Sequence, residues 1–268
     1  MRAILFPPIL GLAFCGPAFA HEFWISPDTY SVLPEETITA ELRVGENFKG
    51  PGYAYIGFRT ERFDYVIAGE ETEVPARMGD RPAVNMPAPE NGLLVLVHET
   101  TDSTLTYTEW AKFQNFVRHK DFAGVFEQHR DRGLPETGFK ESYRRFAKSL
   151  IAVGDGAGRD GSVGLETEIV AVTNPYTDDL SDGMIVDVLY DLEPRGDAQV
   201  ELFERAPDGA VTVSLHRTDA AGRASFPVKS GHEYLVDAVV LRPTDNDDPE
   251  AGPVWHSLWA SLTFKVPD

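Results

Sequence analysis

Over residues 37–44 apolar and polar side chains alternate, with Ile38, Ala40, Leu42 and Val44 on one face, which predicts a half-buried strand. Gly45, Gly50, Pro51 and Gly52 punctuate the turn after it. Residues 53–58 and 62–67 read as the next strands, and residues 69–92, rich in Glu, Pro and Gly, as connecting loop with at most one strand. Leu93-Leu94-Val95-Leu96-Val97-His98 is a continuous apolar run, the mark of a strand buried on both faces. His98 ends that run, which places it at a sheet edge where ligand-binding groups are commonly carried.

The rhythm then changes. Trp110, Phe113, Phe116 and Val117, followed by Phe122, Val125 and Phe126, repeat at helical spacing and predict a helical segment over about 108–132, closed by Gly133-Leu134-Pro135. Lys120-Asp121 is the candidate break within it. His119 and His129 lie on different faces of any one straight helix, and for each the expectation is a solvent-facing side chain. Residues 141–153 fit a helical stripe and a strand alternation equally, so their type stays open. Residues 154–161 are Gly-rich and polar, carry no Gly-Lys-Ser/Thr and lack the closing Glu of a calcium loop, so they read as a long loop near a domain boundary. Beyond Gly164, strand candidates at 165–172, 185–190, 199–204, 211–216, 223–228, 233–241 and 257–266, separated by turns such as Asp208-Gly209, predict a β-sandwich. The chain is therefore expected to be mainly β, with two β-sandwich-like domains: residues 21–160 with the helical insertion, and residues 161–268.

Residues 1–20 have a basic start at Arg2, an apolar run, and Ala18 and Ala20 at the positions a signal peptidase reads. Cutting after Ala20 makes His21 the first residue of an exported, periplasmic protein. The alternative cut before Cys15 is disfavoured by Phe14, too large for the small-residue position. Cys15 is the single cysteine, so the exported chain has no disulfide, although disulfides persist in that compartment. No later stretch approaches the roughly 18–20 apolar residues of a membrane span. The formal charge of −19, one more negative once Arg2 is removed, excludes nucleic acid as a partner. An acidic surface attracts cations and also keeps a protein soluble.

Among chemical motifs there is no Gly-x-Ser-x-Gly elbow, and His21-Glu22 and His98-Glu99 lack the second His of a His-Glu-x-x-His site. What stands out is seven histidines, all after residue 20. An N-terminal His21 would offer an α-amine and an imidazole within one chelate ring, a two-nitrogen clamp suited to Cu, Ni or Zn rather than Ca or Mg. Both nitrogens bind only when deprotonated, so affinity is expected to fall as the pH drops. The candidate ligands are His21, His98 and His119, in that order; His232 and His256 fall in the second domain, and His216 reads as a structural residue within a strand.

His21-Glu22-Phe23-Trp24, Val44-Gly45-Glu46-x-Phe48-x-Gly50, Lys112-Phe113, Arg145-Phe146-Ala147-Lys148, Asn174-Pro175, Thr218-Asp219-x-x-Gly222-Arg223-Ala224 and Trp255-x-Ser257-Leu258-Trp259-Ala260-x-Leu262-Thr263-Phe264 together resemble the DUF4198 family over nearly the whole exported chain. That family is similar to the periplasmic nickel/cobalt-uptake components that accompany energy-coupling-factor transporters. The resemblance implies an exposed N-terminal His, handling of Ni²⁺ or Co²⁺, and an immunoglobulin- or transthyretin-like second domain. It carries over to His21. Where many relatives have a further His before the terminal Trp motif, this sequence has Val239 and Val240.

The expected function is thus capture of a divalent transition ion, Ni or Co favoured and Cu or Zn possible, for delivery to uptake-transporter components in the inner membrane, without enzymatic activity. Two alternatives stand beside it: a mononuclear copper oxygenase built on an N-terminal His clamp, and a metal-free cell-envelope interaction module.

Overall fold

The apolar run at 93–98 lies in the strand Gly92–Thr100, at the heart of a ten-stranded sheet. A computed structural model describes residues 21–268 of the chain; the expected signal segment and cleavage point fall outside the described residues. The main path of the sheet runs in the order Val211–Arg217, Gln199–Arg205, Glu233–Pro243, Pro253–Lys265, Phe139–Val153, Gly92–Thr100, Thr60–Ile67 and Glu70–Glu73. It thus draws strands from both sides of residue 160. The join is the parallel pairing of Phe139–Val153 with Pro253–Lys265, in register from Glu141 opposite Trp255 to Ser149 opposite Thr263.

A smaller sheet lies against each face. Glu22–Pro27, Thr37–Gly45, Gly52–Tyr53 and Val84–Pro87 form one, and its Phe23, Ile25, Ile38 and Leu42 share a core with Leu94, Leu96, Ala147 and Ile151. Thr167–Ala171, Met184–Tyr190, Glu193–Pro194 and Arg223–Phe226 form the other, whose Ile169, Val186 and Phe226 pack with Phe146, Leu150 and Leu262. The chain is therefore mainly β, in sandwich-like layers. This arrangement resolves residues 141–153: they are strand, and the alternation is blurred because apolar residues are needed on both faces, Ala147 and Ile151 toward one small sheet and Phe146 and Leu150 toward the other.

The helical segment forms two helices, Trp110–His119 and Val125–Asp131. Asp121, at φ +55°, lies between them and supplies the break. Phe113, Phe116 and Val117 turn their faces onto Phe139, Trp255 and Trp259.

Some local expectations fail for tertiary reasons. Residues 53–58 give only the end of the strand Gly52–Tyr53 and a 3₁₀ turn at Gly57–Arg59; Tyr55 packs on Phe63, but Tyr53 and Phe58 are exposed. Residues 69–92 hold two short strands rather than one, Glu70–Glu73 and Val84–Pro87. The first is wholly exposed and pairs through its backbone at a sheet edge, which no hydrophobic pattern could announce. His129 is buried rather than solvent-facing, because its Nδ1 accepts a hydrogen bond from Trp255 Nε1 at 3.0 Å. Among the described residues no helix is long and apolar enough to cross a membrane.

Candidate functional site

His21 immediately precedes the strand Glu22–Pro27, which pairs antiparallel with Thr37–Gly45 so that Glu22 faces Gly45. Continuing that register brings His21 beside Glu46, and His21 Nε2 lies 3.6 Å from Glu46 Oε1, with both side chains exposed. Glu46 is held there by a tight reversal. Glu46 and Lys49 exchange backbone hydrogen bonds at 3.0 Å, and Asn47 and Phe48 both take positive φ. A Cβ on Gly45 would collide with the Lys49 carbonyl, and one on Gly50 with the Val44 carbonyl, which explains both glycines of Val44-Gly45-Glu46-x-Phe48-x-Gly50. The buried Phe48 ring anchors the reversal, edge-on to Trp24 at 5.5 Å and under the Arg205 guanidinium at 3.9 Å.

His21 also stands at the rim of a cleft of about 260 Å³ whose walls include Tyr107, Phe116, Glu141, Tyr143, Arg145 and Trp259. Glu141, Tyr143 and Arg145 share the cleft because residues two apart on a strand face the same way. Glu141 is buried, accepts hydrogen bonds from Tyr107 Oη at 2.7 Å and from Ser257 Oγ, and burial pushes its carboxyl up to about 7.

Glu22 heads into the protein. Its charged neighbours are Lys120, Glu201 and Asp237, where Lys120 Nζ donates to Glu201 at 2.9 Å and to Asp237 at 2.7 Å, all three side chains almost fully buried. Burial, with the nearby Asp237 carboxylate adding to it, pushes Glu22 up to about 8, against the pull of Lys120. The burial cost outweighs the attraction of Lys120, so Glu22 keeps its proton at neutral pH. His119, exposed at the end of the first helix, places Nε2 3.1 Å from Glu201 Oε1.

The three candidate histidines have different surroundings. His21 is exposed beside Glu46, and His119 reaches Glu201. His98 is not at an exposed sheet edge: the strand runs on to Thr100, and the His98 ring is buried between Phe23 and Phe63 at centroid distances of 5.3 and 5.0 Å. Burial lowers its pKa to about 3, so the ring is neutral across the physiological range. Its Nε2 faces Thr60 Oγ1 at 3.3 Å and its Nδ1 has no hydrogen-bond partner. Among the described residues no three His, Cys, Asp or Glu side chains converge as ion ligands. Glu46, Glu141 and Arg145 have no place in a ligand set built from histidines; their signals in the sequence are the glycines that bracket Glu46 and the cations at 144–148.

Among solved structures, the chain is similar to the D0-D1 domain of intimin at 14% identity, covering 90% of this chain and 97% of that one with a TM-score of 0.24. It is also similar to a tetra-tandem repeat from the extending region of a large adhesion protein, at 10% identity, covering 92% of this chain and 50% of that one with a TM-score of 0.21. No curated protein matches. The family described as a domain of unknown function, DUF4198, matches residues 18–242, and this chain belongs to that family.

Proposed function

We propose that the protein captures a divalent transition-metal ion at His21, after export and removal of residues 1–20, and passes it to an uptake system. The observation that carries this reading is the placement of Glu46. A histidine that binds through one ring nitrogen commonly turns its other N–H toward a carboxylate, which fixes the ring and raises its basicity. With Nε2 facing Glu46 at 3.6 Å, Nδ1 is the nitrogen left for a chelate ring with the residue's own α-amine. The hairpin that presents Glu46 is anchored by the buried Phe48, so the second partner is fixed before any ion arrives. Nitrogen donors of this kind suit Ni²⁺, Co²⁺, Cu²⁺ and Zn²⁺, and the affinity order favours Cu²⁺ whichever ion is carried in the cell.

The test is isothermal titration of protein beginning at His21 against these four ions, repeated with one Gly added before His21 and with Glu46→Gln. One-to-one binding is expected, weakened at least tenfold by the added Gly and about 10–100-fold by Glu46→Gln. If no ion binds more tightly than about 10 μM, or the added Gly leaves affinity unchanged, the reading fails.

A further inference from the structure

The strand Phe139–Val153 carries three cations close together, Arg144, Arg145 and Lys148, and two of them have found carboxylates. Arg144 pairs with Glu99 at 3.1 Å and Asp102 at 2.8 Å, and Lys148 with Asp160 at 2.8 Å and Glu168 at 2.9 Å. Arg145 makes no direct carboxylate ion pair among the described residues: Glu22 and Asp237 act on it only through longer-range attraction, and residues 1–20 contain no acidic residue that could supply a pair. Its guanidinium lies over the Tyr143 ring at 4.8 Å, its Nη2 donates to the His21 carbonyl at 3.4 Å, and its Nε is shut away from solvent with no hydrogen-bond partner. In a chain of formal charge −19, a half-buried guanidinium on the wall of a cleft, with no carboxylate in direct contact, is an anion site in waiting.

We propose that this cleft binds a small organic carboxylate with a flat apolar body, its carboxylate on Arg145 and its body between Tyr143, Phe116 and Trp259. A guanidinium matches a carboxylate through two parallel N–H donors, and aromatic walls favour a flat apolar partner. The cleft's volume of about 260 Å³ is below the usual range for drug-sized ligands, about 300–1,000 Å³, so the ligand is a small acid. The Glu141 carboxyl on the same wall opposes a second negative charge, which selects a monoanion over a dianion. This site does not depend on a metal at His21.

Benzoate and its neutral isostere benzamide are the probes, titrated into protein beginning at His21 and stripped of metal on a chelating resin, with tryptophan emission followed in parallel. Benzoate is expected to bind at least tenfold more tightly than benzamide. Arg145→Gln should remove that preference, and Leu105→Trp, which fills the cleft from another wall, should weaken both probes. Equal binding of the two probes by the unaltered protein, no binding of benzoate below about 10 mM, or a folded Arg145→Gln variant that retains the preference would overturn the proposal. Because the comparison of probes uses the unaltered protein, it stands even if a variant does not fold. Because no metal is present, its failure and the failure of the metal reading are separate results.

Discussion

Replacing Lys120 by methionine is expected to destabilise the fold by about 3–5 kcal/mol. The Lys120 ammonium is the shared partner of Glu201 and Asp237, whose side chains are only 2% and 1% exposed. Methionine fills most of the same space, so little packing is lost, although the contact of Nζ with the Trp259 ring at 4.9 Å goes with the charge. The dominant effect is two carboxylates left in a low-dielectric interior without their counter-ion. They respond by taking up protons, so the loss should shrink as the pH falls toward 5. Urea denaturation at pH 7.5 gives the free energy, and a melting temperature lowered by roughly 6–20 °C should accompany it. A loss below about 1 kcal/mol would show that these carboxylates are hydrated in solution and that the pairing is not a buried one. His119 compensates little, because its ring is exposed and pairs directly with Glu201 alone.

The second large effect is a pH dependence centred on Glu22. Its carboxyl titrates at about 8 in the folded chain against 4.5 for an unperturbed Glu. The folded state therefore holds a proton that the unfolded state releases, and this contribution to stability is complete below pH 4.5 and is lost as the pH rises to about 8. The full span amounts to about 5 kcal/mol as an upper bound. Glu141, raised to about 7 by burial, acts in the same direction over a narrower window. His98 acts oppositely: with its pKa lowered to about 3, the stability it contributes is present above pH 6.5 and is lost as the pH falls. The opposing limbs overlap, so the informative quantity is a difference. Glu22→Gln, which mimics the protonated acid, should gain stability relative to the unaltered protein steadily from pH 5 to pH 8, by several kcal/mol at the upper end. A difference that stays flat between those limits would mean that Glu22 is ionised and solvated in the folded protein.

How much of this was legible in the sequence depends on how many faces of an element are buried. The second half of the chain reads well, since strands such as Gln199–Arg205 and Arg223–Phe226 are bounded by turns and patterned locally. The helices read well for the same reason, with one apolar stripe each packed on Trp255 and Trp259. Where a strand is covered on both sides, as in Phe139–Val153, the pattern alone leaves the type open. The edge strand Glu70–Glu73 is held by backbone pairing only and has no signature in its side chains. At the site, His21 was conspicuous as the first residue of a His-Glu-Phe-Trp motif, and Glu46 was visible only as one letter of a glycine-bracketed motif. That the two meet follows from a strand register, which alternation over a single segment does not specify.

By itself, then, the sequence determined that the chain is mainly β and where its helices fall and break; these are local properties, set by periodicity and turn residues. Only the tertiary structure decided which charges are balanced. Lys148 and Lys120 find carboxylates on other segments, Glu22 is buried deeply enough to keep its proton, and Arg145 makes no direct ion pair. Charge balance depends on distances across paired strands and on the dielectric of the surroundings, and neither exists until the sheets have closed on one another.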